Sequence, residues 1–294
     1  MPRNTPKEQT ICWINGKRCL PADAKLSIFD HGVLYGDGIF EGIRFYQHKS
    51  LLLNEHLERL RLSAKGIDLD LPYSTDELAQ SIENLCQHAT FSAGYIRLVV
   101  TRGEGALGLN PLGCGPANVF IILAELGMMP TDAIQKGITT IIAKTRRTSP
   151  SAIDPTIKSL NYLNNILAKQ EANRAGVNEA ILLNDDGNVA EAVAENIFIY
   201  TTGKLITPPC SDGALNGITR SVILRLADQA GISTVIRSIS ESELIAADEI
   251  FLSGTGAELV PVRLVNGVTI KQCPGPIFIA LQNHYTDFIR QQCH

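Results

Sequence analysis

The sequence predicts an α+β protein of two domains. Its 294 residues are enough for two ordinary domains. Its composition, 45% hydrophobic and 19% charged, is typical of a folded globular chain. The pattern of apolar residues changes near residue 126, where Gly127 and Pro130 interrupt it. We therefore expect a smaller N-terminal α+β domain at residues 1–125, an inter-domain linker at 126–134 and a larger C-terminal α+β domain at 135–294.

The N-terminal segment has the pattern of strands with two helices among them. Apolar residues 11–14 precede Asn15-Gly16, a pair typical of a tight hairpin turn. Residues 38–46 and 50–53 predict a second pair of strands, and 95–101 and 119–124 predict two more. Asn54 is expected to cap a helix over 55–65, and Ser74 or Thr75 to open a helix that runs to residue 88.

After residue 134, short strands alternate with helices. Strands are predicted at 139–143, 180–183, 197–201 and 249–252, and helices at 163–174, 221–230 and 242–246. Gly176 and Gly231 stand where a glycine commonly ends a helix.

Charge and cysteine usage argue against several classes of protein. The formal net charge of −4 gives no reason to expect nucleic acid or an anionic membrane as partner. No apolar run approaches the ~20 residues that cross a bilayer, and residues 1–10 lack a signal-peptide core, so we expect a cytoplasmic protein. Seven cysteines without a Cys-x-x-Cys pair indicate reduced thiols, and no metal site is predicted.

Lys158 is the first candidate for chemistry. Alone it is typical of a surface lysine ahead of a helix. However, Ile157 precedes it and apolar positions of the predicted helix follow it. An apolar site favours the neutral amine, which is the form that attacks a carbonyl to make a Schiff base.

Two carboxylates, Glu191 and Glu195, lie among alanines before a predicted strand. A charged, solvated loop is the simpler interpretation. The small neighbours, however, suit close approach of a ligand, and a buried carboxylate can keep a heteroaromatic nitrogen protonated.

Two further segments could bind an anion. Gly217, Ile218 and Thr219 precede a predicted helix, where backbone amides attract negative charge, although Thr219 could simply be its cap. The small residues 253–257 form a turn after a strand, which suits phosphate or carboxylate oxygens. That turn lacks the Gly-Lys-Ser/Thr of a Walker loop.

Six motifs occur in order along the chain: YGDGIFEGIR at 35–44, NEHLERL at 54–60, IKSLNYLNN at 157–165, EAVAENIF at 191–198, LNGITR at 215–220 and SGTGAELVPV at 253–262. With them the chain closely resembles the fold-type IV pyridoxal-phosphate enzymes, the group of branched-chain and D-amino acid aminotransferases and aminodeoxychorismate lyase. The resemblance covers nearly the whole chain. It implies the two-domain architecture of the D-amino acid aminotransferases, with pyridoxal 5'-phosphate (PLP) bound in the larger domain.

The resemblance also implies roles at the cofactor. Lys158 would be the catalytic residue, holding PLP as a Schiff base and moving the proton at the substrate α carbon in a ping-pong cycle. Glu191 would pair with the pyridine nitrogen and Tyr162 with the ring oxygen. The remaining cofactor contacts would be the phosphate ligands Arg59, Ile218, Thr219 and Thr255, with Leu215 behind the ring and Glu195 near Arg59.

On the substrate side, the resemblance implies that Tyr95 and the amides of Thr255 and Gly256 bind the α-carboxylate, and that Arg97 meets the distal carboxylate of glutamate or 2-oxoglutarate. Tyr35 and Phe40 would line the side-chain pocket. Family members complete each site with a loop of a second subunit, so a homodimer or a multiple of it is implied. The corresponding loop, residues 103–111, would contribute Leu107 or Leu109.

Within the family, the motifs favour a branched-chain L-amino acid aminotransferase that uses 2-oxoglutarate. The D-amino acid enzymes carry an Arg-x-His pair that is absent after Thr101-Arg102-Gly103, and the lyase does not keep the tyrosine found here as Tyr162. An apolar pocket binds aliphatic side chains with about 0.8 kcal/mol per buried methylene. Those two activities and a non-catalytic PLP-binding protein stay as alternatives. Residues 125–130 lack the tryptophan and tyrosine that close the pocket in well-known bacterial members, so a different lid is expected.

Overall fold

A computed structural model describes residues 9–125 and 132–293 of the chain. Residues 126–131, most of the predicted linker and lid, lie outside the described residues. The described chain divides into two compact units. Unit 1 contains residues 9–125, Ile157–Asn161 and 289–293, and unit 2 contains 132–156 and Tyr162–Phe288. The predicted domain bounds stay a prediction; the units differ from them in that the segment carrying Lys158 groups with unit 1.

Unit 1 is a sheet with two longer helices. In chain order its elements are β1 (Ile11–Ile14), β2 (Lys17–Cys19), α1 (His31–Tyr35), β3 (Gly38–Tyr46), β4 (Lys49–Ser50), α2 (Leu53–Gly66), α3 (Thr75–Gln87), β5 (Ala93–Thr101) and β6 (Asn118–Ala124). The strands are antiparallel in the order β2-β1-β6-β5-β3-β4.

One face of this sheet forms the core of unit 1 because side chains alternate between faces along a strand. Ile39, Ile43, Ile96 and Leu98 point to the same core as Leu57 of α2. Phe40, Tyr95 and Arg97, which alternate with these residues along β3 and β5, therefore point to the opposite face. Every predicted substrate residue on β3 and β5 lies on that opposite face.

Unit 2 contains a larger mixed sheet. Its elements are α4 (Ala133–Lys136), β7 (Ile138–Ile142), α5 (Leu163–Ala175), β8 (Glu179–Leu183), β9 (Val189–Ala192), β10 (Asn196–Thr201), β11 (Lys204–Thr207), α6 (Ile218–Gln229), β12 (Thr234–Ile236), α7 (Glu241–Ala246), β13 (Glu249–Gly254), β14 (Glu258–Val265), β15 (Val268–Thr269) and the start of α8 (Pro276–Cys293). The strand order is β12-β11-β10-β13-β14-β7-β8-β9, with β15 paired to β14. Residues such as Ile197, Leu252 and Val260 are fully buried in its core.

The prediction of an α+β fold is confirmed. The helix starts show where local sequence signals were sufficient to place a helix. Ser74 caps α3 with a reciprocal capping box, in which Ser74 and Glu77 each accept from the other's backbone N–H. The predicted cap at Asn54 is wrong: α2 begins at Leu53 and its N-cap is Leu52, in the left-handed conformation. The predicted strand 50–53 is accordingly only Lys49–Ser50, because the helix takes the last residue.

In unit 2, glycine signals mark helix ends correctly but other elements lack a local signal. Gly176 ends α5 in the left-handed conformation, as predicted. Helix α6 begins three residues before its predicted start at Ser221. The sequence analysis did not predict α4, β9, β11, β12, β14, β15 or α8. Within the described residues, no helix is both long and apolar enough to cross a membrane.

Candidate active site

Lys158 is held by its backbone against β3. The N–H of Phe40 donates to the carbonyl of Lys158 at 3.0 Å, and the N–H of Leu160 donates to the carbonyl of Gly38 at 2.9 Å. On the other side, the N–H of Lys158 donates to Oγ of Ser63 in α2 at 3.1 Å. The side chain is half-buried, and its Nζ lies 4.7 Å from the centre of the Phe40 ring. Lys158 therefore has a fixed main chain and an apolar neighbour in Phe40, whereas Leu163, Ile166 and Leu167 of the following helix, expected to supply an apolar site, are largely exposed.

Arg97 and Tyr95 share this face with Phe40. The Arg97 guanidinium lies 4.4 Å from the centre of the Phe40 ring and 5.5 Å from that of Tyr95. Gly42, the cross-strand partner of Arg97, makes room for this arrangement, because a Cβ there would lie 1.9 Å from the Tyr95 hydroxyl. Unit 1 thus brings together one predicted catalytic residue and three predicted substrate residues.

Arg59, a predicted phosphate ligand, is oriented by a buried acid that sequence reasoning missed. Its Nε and Nη2 donate to the two carboxylate oxygens of Glu41, each at 2.7 Å. His56, one turn earlier on α2, places Nδ1 2.7 Å from Oε2 of the same carboxylate. Glu41 has no exposed surface and His56 almost none.

The charges of this group follow from its burial. Burial alone would raise the pKa of Glu41, but the Arg59 charge and the hydrogen bonds from Arg59 and His56 outweigh it and lower the pKa to about 2. Burial lowers the pKa of His56, and the nearby charges of Arg59 and Lys158 act in the same direction. We infer a neutral His56 that donates its Nδ1–H to an ionised Glu41.

Tyr35 and the predicted loop form a second group in unit 1. The Tyr35 hydroxyl accepts from the N–H of Gly108 at 3.0 Å. Leu107 and Leu109, on either side of Gly108, are 76% and 80% exposed. The loop is therefore attached to Tyr35 but leaves both leucines in solvent in the single chain.

In unit 2, Glu191 is buried on β9 with a defined set of partners. Its Oε1 lies 2.9 Å from Nη2 of Arg147, and its Oε2 accepts from the N–H of Leu215 at 2.9 Å. Arg147 also donates to Oδ1 of Asn165 and to the carbonyl of Gly213. The two predicted residues Glu191 and Leu215 are brought into direct contact, and Glu191 is on a strand, not in a solvated loop.

The predicted anion segment 217–219 lies at the start of α6. Gly217 is the N-cap, and no side chain caps the helix. A Cβ on Gly217 would lie 1.9 Å from Oδ1 of Asn196, whose Nδ2 donates to the carbonyl of Leu215 at 2.9 Å. Ile218 is half-buried and Thr219 is buried in the first turn of the helix. The amides at this helix start suit an anion, and the predicted anion site stays a prediction.

The second small-residue turn follows β13. Thr255 and Gly256 lie in the tight turn between β13 and β14, and both are half-buried. Ser253, directly before the turn, pairs in register with Asn196 of β10. Its Oγ is buried and has no hydrogen-bond partner among the described residues. A buried hydroxyl without a partner is costly, so this position is suited to a polar ligand group.

Tyr162 and Glu195 complete the predicted set in unit 2. Tyr162 is the N-cap residue of α5 and is half-buried. Glu195 is buried; burial and then the charge of Glu179 raise its pKa to about 8. The predicted placement of Glu195 near Arg59 stays a prediction.

Three functional candidates were not found from the sequence. Glu41 and His56 each stand inside a quoted motif, and the spacing of His56 and Arg59 puts them on one face of α2. That spacing could have indicated from the sequence that His56 and Arg59 act together. Arg147 lies in a polar stretch with no motif around it, so no local feature distinguishes it.

The sequence model of one protein family, the class IV amino-transferases, matches residues 38–265 of the chain. The chain belongs to the class IV aminotransferases. The family resemblance is thereby confirmed.

Several relatives of known name match nearly the whole chain. A protein of Methanocaldococcus jannaschii, named provisionally as a branched-chain-amino-acid aminotransferase, is 45% identical over 258 residues, 88% of each chain. The branched-chain-amino-acid aminotransferase of Salmonella typhimurium is 35% identical over 96% of this chain and 93% of its own. The crystal structure of the Escherichia coli branched-chain amino acid aminotransferase has a TM-score of 0.93 at 32% identity, covering 97% of this chain and 96% of that chain.

The substitution Glu41→Gln tests the buried ion group. Removing one partner from a buried pair costs roughly 3–5 kcal/mol, so we expect a loss of that order in the free energy of unfolding at pH 7. Because folding lowers the pKa of Glu41, its carboxylate stabilises the fold fully above about pH 4.5, and this contribution is lost as the pH falls towards about 2. The difference between wild type and variant, measured by urea unfolding, should therefore shrink over that range.

Glu58→Gln is the control, because Glu58 pairs with Arg61 on the exposed side of the same helix and should change stability little. A difference for Glu41→Gln that stays constant as the pH is lowered would contradict the role given to the charge.

Proposed function

We propose that this chain is a PLP-dependent branched-chain L-amino acid aminotransferase, which transfers an amino group reversibly between leucine, isoleucine or valine and 2-oxoglutarate. The observation that carries the proposal is the placement of Lys158, with its backbone fixed to β3 and its amine over the Phe40 ring beside Arg97. In a class IV aminotransferase this combination supplies a nucleophile, an apolar wall and a cation for a carboxylate.

The residues of unit 2 fit the cofactor. The Ser253 hydroxyl lacks a partner among the described residues, the start of α6 offers uncapped amides beside a position that only glycine can fill, and Glu191 presents a buried carboxylate. A related branched-chain amino acid aminotransferase structure, with a TM-score of 0.92 at 32% identity, contains pyridoxamine 5'-phosphate. When bound, PLP supplies a carbonyl that takes the amino group and a ring that takes up electrons from the α carbon.

Lys158 is the proposed catalytic residue: its amine holds the cofactor, is released by the incoming amino acid, and then takes and returns the proton at the α carbon. Glu191 would pair with the pyridine nitrogen of bound PLP and favour its protonated form, and Arg147, whose Nη2 lies 2.9 Å from Oε1, holds the Glu191 carboxylate in position. The other proposed cofactor ligands are Arg59, Tyr162, Glu195, Leu215, Ile218, Thr219 and Thr255. The second half of the ping-pong cycle runs the same steps in reverse with the 2-oxo acid.

Substrate choice is assigned to the face of unit 1 that carries Phe40. Phe40 and Tyr35, with Leu107 or Leu109, favour an aliphatic side chain, while Tyr95 and the amides of Thr255 and Gly256 take the α-carboxylate. Arg97 takes the distal carboxylate of 2-oxoglutarate, since a guanidinium can bind a carboxylate with two parallel hydrogen bonds.

We also propose that the chain works as a homodimer or a multiple of it. Unit 1 exposes Leu107, Leu109 and Leu112 on one loop, and Ile28, Phe29 and Val33 on the segment bonded to that loop. Several large exposed apolar side chains on two bonded segments are typical of an interface. A cytoplasmic location is part of the proposal, supported by seven cysteines that are all free thiols.

Lys158→Ala tests the catalytic assignment. We expect wild-type protein with PLP to absorb in the near-visible and to lose this absorption with borohydride, and the variant to show neither property and to lack transamination. Lys65→Ala, at the exposed end of α2, is the matched control and should keep both. A variant that retains wild-type turnover would remove Lys158 from the mechanism.

Half-reactions with single amino donors test the substrate class. PLP-loaded protein should convert spectrally with L-leucine and not with D-alanine or aminodeoxychorismate, because the motifs and the apolar face favour a branched L-side chain. Conversion with D-alanine but not L-leucine would replace the proposal by a D-amino acid aminotransferase. A protein that binds PLP and converts with none of the three would be non-catalytic.

Arg97→Met tests the dicarboxylate site. Loss of a charged hydrogen bond costs about 1.5–3 kcal/mol, so KM for 2-oxoglutarate should rise at least tenfold. KM for the 2-oxo acid of leucine should stay within about twofold, because an apolar methionine can pack on the Phe40 ring in place of the guanidinium. Equal increases for both acids would place Arg97 at the α-carboxylate or in a structural role.

Leu109→Asp tests the proposed interface. A buried unpaired carboxylate disfavours association, so sedimentation velocity should show a shift towards monomer together with lower activity. Leu62→Asp, at an exposed leucine of α2, is the control and should sediment as wild type. An unchanged assembly for Leu109→Asp would place the interface elsewhere.

A further inference from the structure

Two cysteines face each other across the first hairpin of unit 1. Strands β1 and β2 are joined by Asn15 and Gly16, both with positive φ, and the register pairs Cys12 with Cys19. Cross-strand partners point to the same face of an antiparallel sheet. In the described sheets, the register gives no other cysteine a cysteine partner.

The backbone spacing of this pair suits a disulfide. Directly opposed residues in an antiparallel pair have Cα atoms about 4.5–5.5 Å apart. Disulfides join Cα atoms roughly 4.4–6.8 Å apart. Strand β2 is at the edge of the sheet, is short and is mostly exposed. It can therefore move the small distance that bond formation needs while Trp13, on the core face of β1, stays packed.

The two thiols differ in their exposure to solvent, and this difference determines which of them reacts first. Cys12 is 5% exposed and lines a cavity of about 250 Å³ with neighbours that include Ala24, Leu26 and Ile122. Cys19 is half-exposed. Burial, and next the neighbouring Cys19, raise the pKa of the Cys12 thiol. Cys19 is thus the thiol that meets a reagent from solvent, and Cys12 is the thiol that follows.

The pair lies on the face that carries the candidate substrate residues. A row of cross-strand partners runs from Arg97 to Ile122, from Ile122 to Cys12, and from Cys12 to Cys19. With neighbouring strands about 4.8 Å apart, Cys12 is roughly 10 Å from Arg97 along this row.

We propose that Cys12 and Cys19 form a reversible dithiol–disulfide site that reacts with small-molecule disulfides. The Cys19 thiolate attacks one sulfur of oxidised glutathione, forms a mixed disulfide and releases one glutathione thiolate. The Cys12 thiol loses its proton, and the resulting thiolate attacks Sγ of Cys19 and releases the second glutathione as its thiolate. Two protein thiols are oxidised to one disulfide and one small disulfide is reduced to two thiols, so atoms and electrons balance.

The test uses folded full-length protein equilibrated in glutathione buffers of graded ratio, then alkylated and digested with trypsin without reductant. Cleavage at Lys17 and Arg18, which lie between the cysteines, separates EQTICWINGK from CLPADAK. A disulfide therefore appears as these two peptides joined in one mass, which dithiothreitol splits. We expect the joined mass to rise with the oxidised fraction of glutathione.

Variants assign the order of reaction. Cys12→Ser should stop at a glutathione adduct on Cys19, Cys19→Ser should leave Cys12 alkylated, and Cys114→Ser should give the joined peptides as wild type does. Fully alkylated Cys12 and Cys19 in folded wild type at the most oxidising ratio would overturn the proposal. Joined peptides that link Cys12 or Cys19 mainly to other cysteines would overturn it as well.

Discussion

The pairing of the Lys158 segment, Ile157–Asn161, with β3 determines the position of the candidate chemistry in unit 1. Two backbone hydrogen bonds join this segment to β3 and one joins it to Ser63 of α2. These hydrogen bonds fix the main-chain position of the segment, from which the Lys158 side chain extends. The segment is far along the chain from its partners, yet its amine reaches the Phe40 ring because β3 fixes where its main chain lies.

Strand β3 serves two purposes because its side chains alternate. Phe40 points to the face shared with Arg97 and Lys158, and the next residue, Glu41, points to α2 and holds Arg59. A buried carboxylate is unfavourable unless it is paired and fully hydrogen-bonded. Here Arg59 supplies the charge and His56 an additional donor, so ionised Glu41 is stabilised and the guanidinium has one orientation. In its proposed role as a phosphate ligand, Arg59 would lose less entropy on binding because it is oriented beforehand.

Much of the fold and of the candidate site could be predicted, and the failures have physical causes. Local signals sufficed where a side chain acts on its own backbone, as Ser74 does at α3 and Gly176 does at α5. They failed at α2, whose N-cap is Leu52 in a left-handed conformation that this residue type disfavours. Motifs found Lys158 and Glu191, but not Arg147, whose role depends on three partners distant in sequence.

The sheet of unit 1 also connects residues that no motif connects. The register of the strands fixes which residues are neighbours. One row of cross-strand partners therefore runs from Arg97 on β5 through Ile122 and Cys12 to Cys19 on the edge strand. A central strand cannot move without breaking ladders on both sides, whereas an edge strand has only one. The same sheet therefore holds Arg97 rigidly at its centre and leaves Cys19 free to react at its edge. Strand order alone therefore places two different positions in one row on one face of the sheet. Arg97 is suited to binding a ligand in a fixed geometry, and Cys19 is suited to reversible covalent change.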